Sequence, residues 1–173
     1  TLSFASARID LDVPLRKLPT ERDLPAGIEY LARCGAGDPL LEVPAPARTM
    51  SYHEAEVMYL STYHWLPLLN GRVSYSAPLM KNALDRSRRL PDPKSVSWLR
   101  RHTGVRWIRA DCASESWVRW SRERLCGEHG IRGARRYDLG SVILYDLGPV
   151  DQLPREMPRR WSPPEDCADG PRS

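Results

Sequence analysis

Apolar positions along the chain switch repeatedly between helical and extended spacing. Ile9, Leu11 and Val13 alternate ahead of Pro14 and Pro19, which predicts an extended arm or edge strand within residues 1–24. Pro25 opens a short helix whose face carries Ile28, Leu31 and Ala32, and Gly35 is expected as its left-handed cap. Leu40-Leu41-Glu42-Val43 is a short apolar run closed by Pro44, the pattern of a strand. Ser51 and Glu54 have capping-box spacing. Ala55, Met58, Tyr59 and Thr62 follow at i, i+3, i+4 and i+7, so a helix is predicted from Tyr52 to His64. Pro67 stops it, and Leu66 to Leu69 suits a buried strand ending at an Asn70-Gly71 turn.

The second half continues the alternation. A short helix is predicted from Pro78 to Arg88, with Leu79, Ala83 and Leu84 facing inward. The next helix has the clearest signals: Asp92 to cap it, Pro93 in its first turn, Val96 and Leu99 toward the core, Gly104 to end it. Val105 to Arg109 alternates strictly and reads as a strand, with Val105, Trp107 and Arg109 toward one face. Ser114 to His129 reads as a long helix, supported by Glu115–Arg119 and Arg119–Glu123 at i, i+4, with Trp117, Val118 and Leu125 as its buried stripe. Ala134 to Leu139 and Ser141 to Leu147, separated by Gly140, form an expected antiparallel hairpin.

These elements predict an α/β domain over residues 25–148: a small mixed sheet with a parallel centre and a C-terminal antiparallel hairpin, with helices packed on it. Residues 1–24 would be an arm, and residues 149–173, rich in proline and poor in apolar residues, an irregular tail.

Composition narrows the function classes. A chain of 173 residues can bury a real core. Six Trp and 7 Tyr stand against a single Phe, a bias toward aromatics with a polar tip that suits half-buried surfaces. The formal charge of +4 is too small to imply nucleic acid, and no nucleic-acid partner is expected. The clusters Arg86, Arg88, Arg89 and Arg132, Arg135, Arg136 read first as solvated faces, and second as patches for phosphate or headgroups. No run approaches the ~20 apolar residues that span a bilayer. A chain opening at Thr1 is expected to be a fragment or a mature product, with any membrane anchor outside it.

Cys34, Cys112, Cys126 and Cys167 contain no C-x-x-C pair. In an oxidising compartment they allow two disulfides in any of three connectivities, and joining Cys112 to Cys126 would need the chain to fold back. Cys112, Cys126 and His129 fit no closed tetrahedral zinc pattern, so no metal is expected, and no cofactor.

Residue types that carry chemistry concentrate between Tyr59 and Gly71. His64 is suited to act as a general base or to bond a sugar hydroxyl, and Tyr63 and Trp65 to stack on a sugar ring. The plainer reading is that a helix C-terminus favours a His cation and that the aromatics simply pack. Ser61 and Ser74 lack a nucleophile elbow. Gly35-Ala36-Gly37 precedes a strand, the wrong order for a phosphate loop. Among the carboxylates Glu42, Glu54, Glu56, Asp85 and Asp111, the last is best placed at a strand end, although an acid there commonly caps the next helix. No catalytic residue is therefore assigned. A freestanding hydrolase pairing His64 with Asp111 or Glu54, and a weak anionic-ligand or nucleic-acid binding module using the Arg clusters, stand as rival readings.

Leu40-Leu41-Glu42-Val43-Pro44, the run from Met58 to Gly71, and Leu99 to Ile108 together resemble a recurring pattern. It is a strand ending in Glu-x-Pro, a Tyr-x-Ser-Thr-x-His-Trp-x-Pro-x-x-Asn-Gly segment, and a helix-to-strand step through Gly-Val-Arg. The pattern is similar to that of C-terminal extracytoplasmic domains of bacterial multi-pass membrane proteins of the polyprenyl-phosphate-sugar-dependent glycosyltransferase type. The resemblance covers roughly residues 24 to 147 and implies an accessory domain, periplasmic or at the cell surface and non-catalytic alone. Its partners would be the membrane-embedded part of the same polypeptide and a glycan or lipid-linked sugar. Tyr63, His64, Trp65, Asn70 and Gly71 would be its contact surface.

Overall fold

A computed structural model describes residues 19–45, 52–71, 78–114 and 119–149, together with Cys167 and Gly170. Residues 1–18 of the expected N-terminal arm, the Ser51 cap and the Trp117–Val118 stripe lie outside the described residues. Among the described residues, five helices and four strands follow one another as α1 (Ile28–Cys34), β1 (Leu40–Val43), α2 (Tyr52–His64), α3 (Pro78–Ser87), α4 (Pro93–Thr103), β2 (Trp107–Asp111), α5 (Arg119–Cys126), β3 (Arg135–Leu139) and β4 (Val142–Asp146).

The strands form one mixed sheet in the order β1-β2-β4-β3. β1 runs parallel to β2, with Leu40 opposite Trp107 and Glu42 opposite Arg109. β4 lies antiparallel to both β2 and β3. The mixed α/β sheet and its terminal hairpin are thus as expected. The parallel pair lies to one side, because the second arm of the hairpin docks directly on β2 and makes the middle pairing antiparallel.

Side-chain alternation along the strands divides the core into two clusters. Leu41, Val43, Ile108, Ala110, Ile143 and Tyr145 point to one face, where they meet Ala83 of α3, Leu99 of α4 and Leu125 of α5. Leu40, Trp107, Val142 and Leu144 point to the other, where they meet Tyr30, Leu31 and Cys34 of α1, with Leu66 beyond the end of α2. Helices therefore cover both faces of the sheet, and α2 packs beside α1.

Local signals explain most boundaries. Asp92 caps α4 by accepting from the Ser95 amide at 2.9 Å, and Gly104 closes the helix at φ 68, a left-handed conformation that glycine adopts without strain. Gly35 differs from expectation: it is right-handed at φ −67. Its role is spatial, since a Cβ there would come within 2.5 Å of the Leu31 carbonyl and 2.6 Å of the Leu66 side chain. Leu79 of α3 is also unlike its expected placement. It is exposed, whereas Ala83 one turn on is buried. β2 begins two residues later than predicted, and Val105, just before it, joins the α3–α5 face opposite Trp107.

Two disulfides close the fold. Cys112 pairs with Cys126, so the chain does fold back between β2 and the end of α5. Cys34 pairs with Cys167, and the Tyr30 hydroxyl donates to the Cys167 carbonyl at 3.0 Å. The proline-rich C-terminal segment is therefore tied to α1 at this point.

Candidate functional site

The segment following α2 is built onto the edge of the sheet. The Leu40 amide donates to the Pro67 carbonyl at 2.9 Å, and the Leu69 amide donates to the Leu40 carbonyl at 2.8 Å. Leu68 forms a single parallel bridge with Leu40, which is what remains of the expected Leu66–Leu69 strand. Asn70 then completes the edge with its side chain. Its Oδ1 accepts from the Glu42 amide at 3.1 Å, and its Nδ2 donates to the Glu42 carbonyl at 2.9 Å. The buried Asn70 carboxamide thus does for Glu42 what a paired strand residue would, leaving neither backbone group of Glu42 unmatched.

Beneath this edge sits a buried ionic pair. Glu42 and Arg109 face each other across β1 and β2, and Arg109 Nη1 lies 2.9 Å from Glu42 Oε2, with the side chains 1% and 4% exposed. Arg109 Nε also donates to the Ala26 carbonyl at 3.3 Å, which fixes the chain entering α1. Burying two ions is costly, and it is tolerated when the pair is close and further hydrogen-bonded.

His64, the last residue of α2, is buried as well. Its Nδ1 accepts the Leu66 amide at 3.0 Å, so the neutral ring carries its proton on Nε2. Burial, aided by the nearby positive charge of Arg109, lowers its pKa to about 4. Both His64 Nε2 and Glu42 Oε1 are buried without a hydrogen-bond partner. No carboxylate and no hydroxyl among the described residues bonds His64. Its imidazole is committed to the turn. Asp111, one of the two acids that the rival hydrolase reading pairs with His64, accepts from the Ala113 amide at 3.0 Å and so caps the turn after β2. The side chain of the other, Glu54, lies outside the described residues.

Trp65 is the opposite case. The Trp65 amide still completes the helix by donating to Ser61 at 2.9 Å, but the residue has turned to φ 53 and its side chain is 80% exposed. A non-glycine residue held left-handed costs about 1 kcal/mol. Here Leu66, locked between the His64 ring and Gly35, dictates the reversal. Half-buried Tyr63 lies edge-on to Tyr59 at 5.6 Å. Tyr59 donates to the Pro19 carbonyl at 3.0 Å, and the two hydroxyls meet at 2.8 Å, so Tyr63 donates to Tyr59. That hydrogen bond pushes the Tyr63 phenol up to about 12. Gly71, half-buried, follows at the exit of the turn.

The five candidate residues therefore divide by role. His64 and Asn70 hold the turn from inside, Trp65 projects from it, Tyr63 lines its flank, and Gly71 leaves it. The Glu42–Arg109 pair was not foreseen. Its signal lies in the sequence: Glu42 and Arg109 each stand within a strand with an apolar residue on either side.

With Cys112 and Cys126 bonded to each other, neither thiol is left to ligate zinc alongside His129. Among the described residues no three metal-binding side chains cluster, and no helix is long and apolar enough to cross a membrane. Comparison with protein families, characterised proteins and solved structures finds no match to this chain. The geometry by itself defines a class: a disulfide-linked α/β domain that buries an ionic cluster and presents a tryptophan on a strained turn.

Proposed function

We propose that this chain is an accessory, extracytoplasmic domain of a membrane-anchored glycosyltransferase-like protein, non-catalytic alone, which contacts a glycan through Trp65 and the flank formed by Tyr63. The observation that carries the reading is the contrast within the His64–Gly71 segment. Its polar residues are consumed in holding the turn, while its largest side chain is given to solvent at a cost in backbone strain. A flat, exposed indole is suited to stack on the apolar face of a sugar ring. The location outside the cytoplasm is supported by the pairing of all four cysteines in two disulfides. The tie to a membrane transferase rests on the resemblance of the Glu-x-Pro strand and the His-Trp-x-Pro-x-x-Asn-Gly segment.

The test is a titration of the oxidised protein with a panel of bacterial surface oligosaccharides, followed by tryptophan fluorescence and by NMR. Binding by wild type that is lost in Trp65→Ala, with the fold unchanged, supports the reading. Absence of binding across the panel, or binding indifferent to Trp65, refutes the glycan contact. Hydrolysis of any of these glycans by the isolated protein refutes the non-catalytic assignment.

A further inference from the structure

We propose that the groove between α3 and α4 is a binding site for a phosphate group, carried either by a small soluble molecule or by a lipid headgroup. The groove is lined by Asn82, Asp85, Arg86, Arg89 and Trp98. It belongs to the helical layer on the sheet face opposite Leu66, and so is separate from the Trp65 turn.

The argument rests on how the charges in the groove are used. Asp85 is already engaged, with its Oδ1 3.1 Å from Arg88 Nη1. Arg86 and Arg89 have no carboxylate partner among the described residues. Arg86 instead lies over the Trp98 ring, its guanidinium carbon 5.8 Å from the ring centroid. Trp98 is in turn stacked on His102 at 4.5 Å and 14°, and the His102 ring is fixed by Nδ1 at 2.9 Å from the Trp98 carbonyl. The stack limits the freedom of Arg86 before any ligand arrives, which lowers the entropy lost on binding. The ring does not neutralise it.

Two guanidinium groups with donors to spare, one of them held over an indole, match an anion with several oxygens and two charges. A phosphate can take a fork from each arginine. The Asn82 carboxamide adds a donor on the same wall, and Trp98 offers an apolar side to whatever organic part the phosphate carries.

The experiment uses the oxidised chain at low salt, with amide and indole NMR signals followed during titration with inorganic phosphate and, separately, with glycerol phosphate. Co-sedimentation with phosphatidylcholine vesicles, with and without phosphatidic acid, forms the lipid arm. The expected result is saturable shifts confined to Asn82, Arg86, Arg89 and the Trp98 indole. Arg86→Gln with Arg89→Gln should weaken binding by about tenfold or more, given the cost of losing hydrogen bonds to a charged group. Arg122→Gln with Arg132→Gln, which removes the same charge from exposed positions elsewhere, should leave binding within about twofold. Saturation by the soluble phosphates alone identifies a soluble ligand, and capture only by phosphatidic acid vesicles identifies a headgroup. No binding in either arm, shifts spread over the whole surface, or equal weakening in the distant pair would each overturn the proposal. The wild-type shift map decides the matter even where the arginine variant fails to fold.

Discussion

The two faces of the sheet are built on different principles. Along β1, β2 and β4 the face toward α3, α4 and α5 carries only apolar or aromatic side chains, from Leu41 and Val43 to Ile108, Ala110, Ile143 and Tyr145. Charge enters it only on β3, at Arg136 and Asp138. The face toward α1 buries Glu42 and Arg109 beside Leu40 and Trp107, with His64 and Asn70 at the same edge. An apolar face is stabilised by burial and tolerates changes of shape. A polar face is demanding, because each group must find a partner, and in return it fixes one arrangement of the chain. The turn carrying Trp65 stands on the demanding face, where both its neighbours and its register are set by hydrogen bonds.

The disulfides sharpen the contrast most. The Cys34–Cys167 bond spans 133 residues on the polar side, and the Cys112–Cys126 bond spans 14 on the apolar side. If each acts mainly by restricting the unfolded chain, Cys34→Ala with Cys167→Ala should cost about 5 kcal/mol, and Cys112→Ala with Cys126→Ala about 3 kcal/mol. Denaturant titration of both pairs measures the difference. Equal losses would place the stabilisation in the native state instead.

The ionic pair comes next. Arg109→Met alone should destabilise by about 3 to 5 kcal/mol, since it leaves Glu42 charged and unpaired in the interior. Adding Glu42→Leu should recover most of that loss, as two apolar residues suit the space. A double variant no better than the single one would show that the pair does more than satisfy itself.

His64 gives the polar face a pH dependence. Its pKa is near 4 in the folded protein and near 6.5 when exposed, so the unfolded chain binds the proton more readily. Stability from this group is complete above about pH 6.5 and falls as pH drops toward 4, by about 3 kcal/mol at most. His64→Asn, which keeps an acceptor for the Leu66 amide, should flatten that limb of the stability curve.

The smallest effect belongs to the exposed end of the turn. Trp65→Gly should leave stability within about 1 kcal/mol of wild type, because relief of the left-handed backbone offsets the greater freedom of glycine in the unfolded chain. A large loss would mean that the indole packs on the domain rather than serving an outside partner.

Much of the fold was legible because local rules and burial agreed. α2 spans the predicted Tyr52–His64, and α4 has its Asp92 cap and Gly104 stop where the sequence placed them. The hairpin is centred on Gly140 as expected. What was not legible depended on partners distant in sequence. Gly35 looked like a left-handed cap, yet its requirement comes from Leu66, which meets it only in the folded chain. Leu79 fitted an inward stripe by spacing, but the core contact falls on Ala83. The site divided in the same way. Spacing brought Tyr63 to Gly71 together as one segment. Which members turn inward was decided by the Glu42 backbone and the Arg109 charge, on strands that spacing alone could not bring alongside.

The central claim is that the polar residues His64 and Asn70 of this turn are structural, so that Trp65, flanked by Tyr63, is left to meet a ligand. Carbon and nitrogen NMR of the His64 ring across pH tests it most directly. The account predicts a neutral ring protonated on Nε2 that stays neutral down to about pH 4. A ring that titrates near 6.5, or that carries its proton on Nδ1, would place His64 in solvent and contradict it.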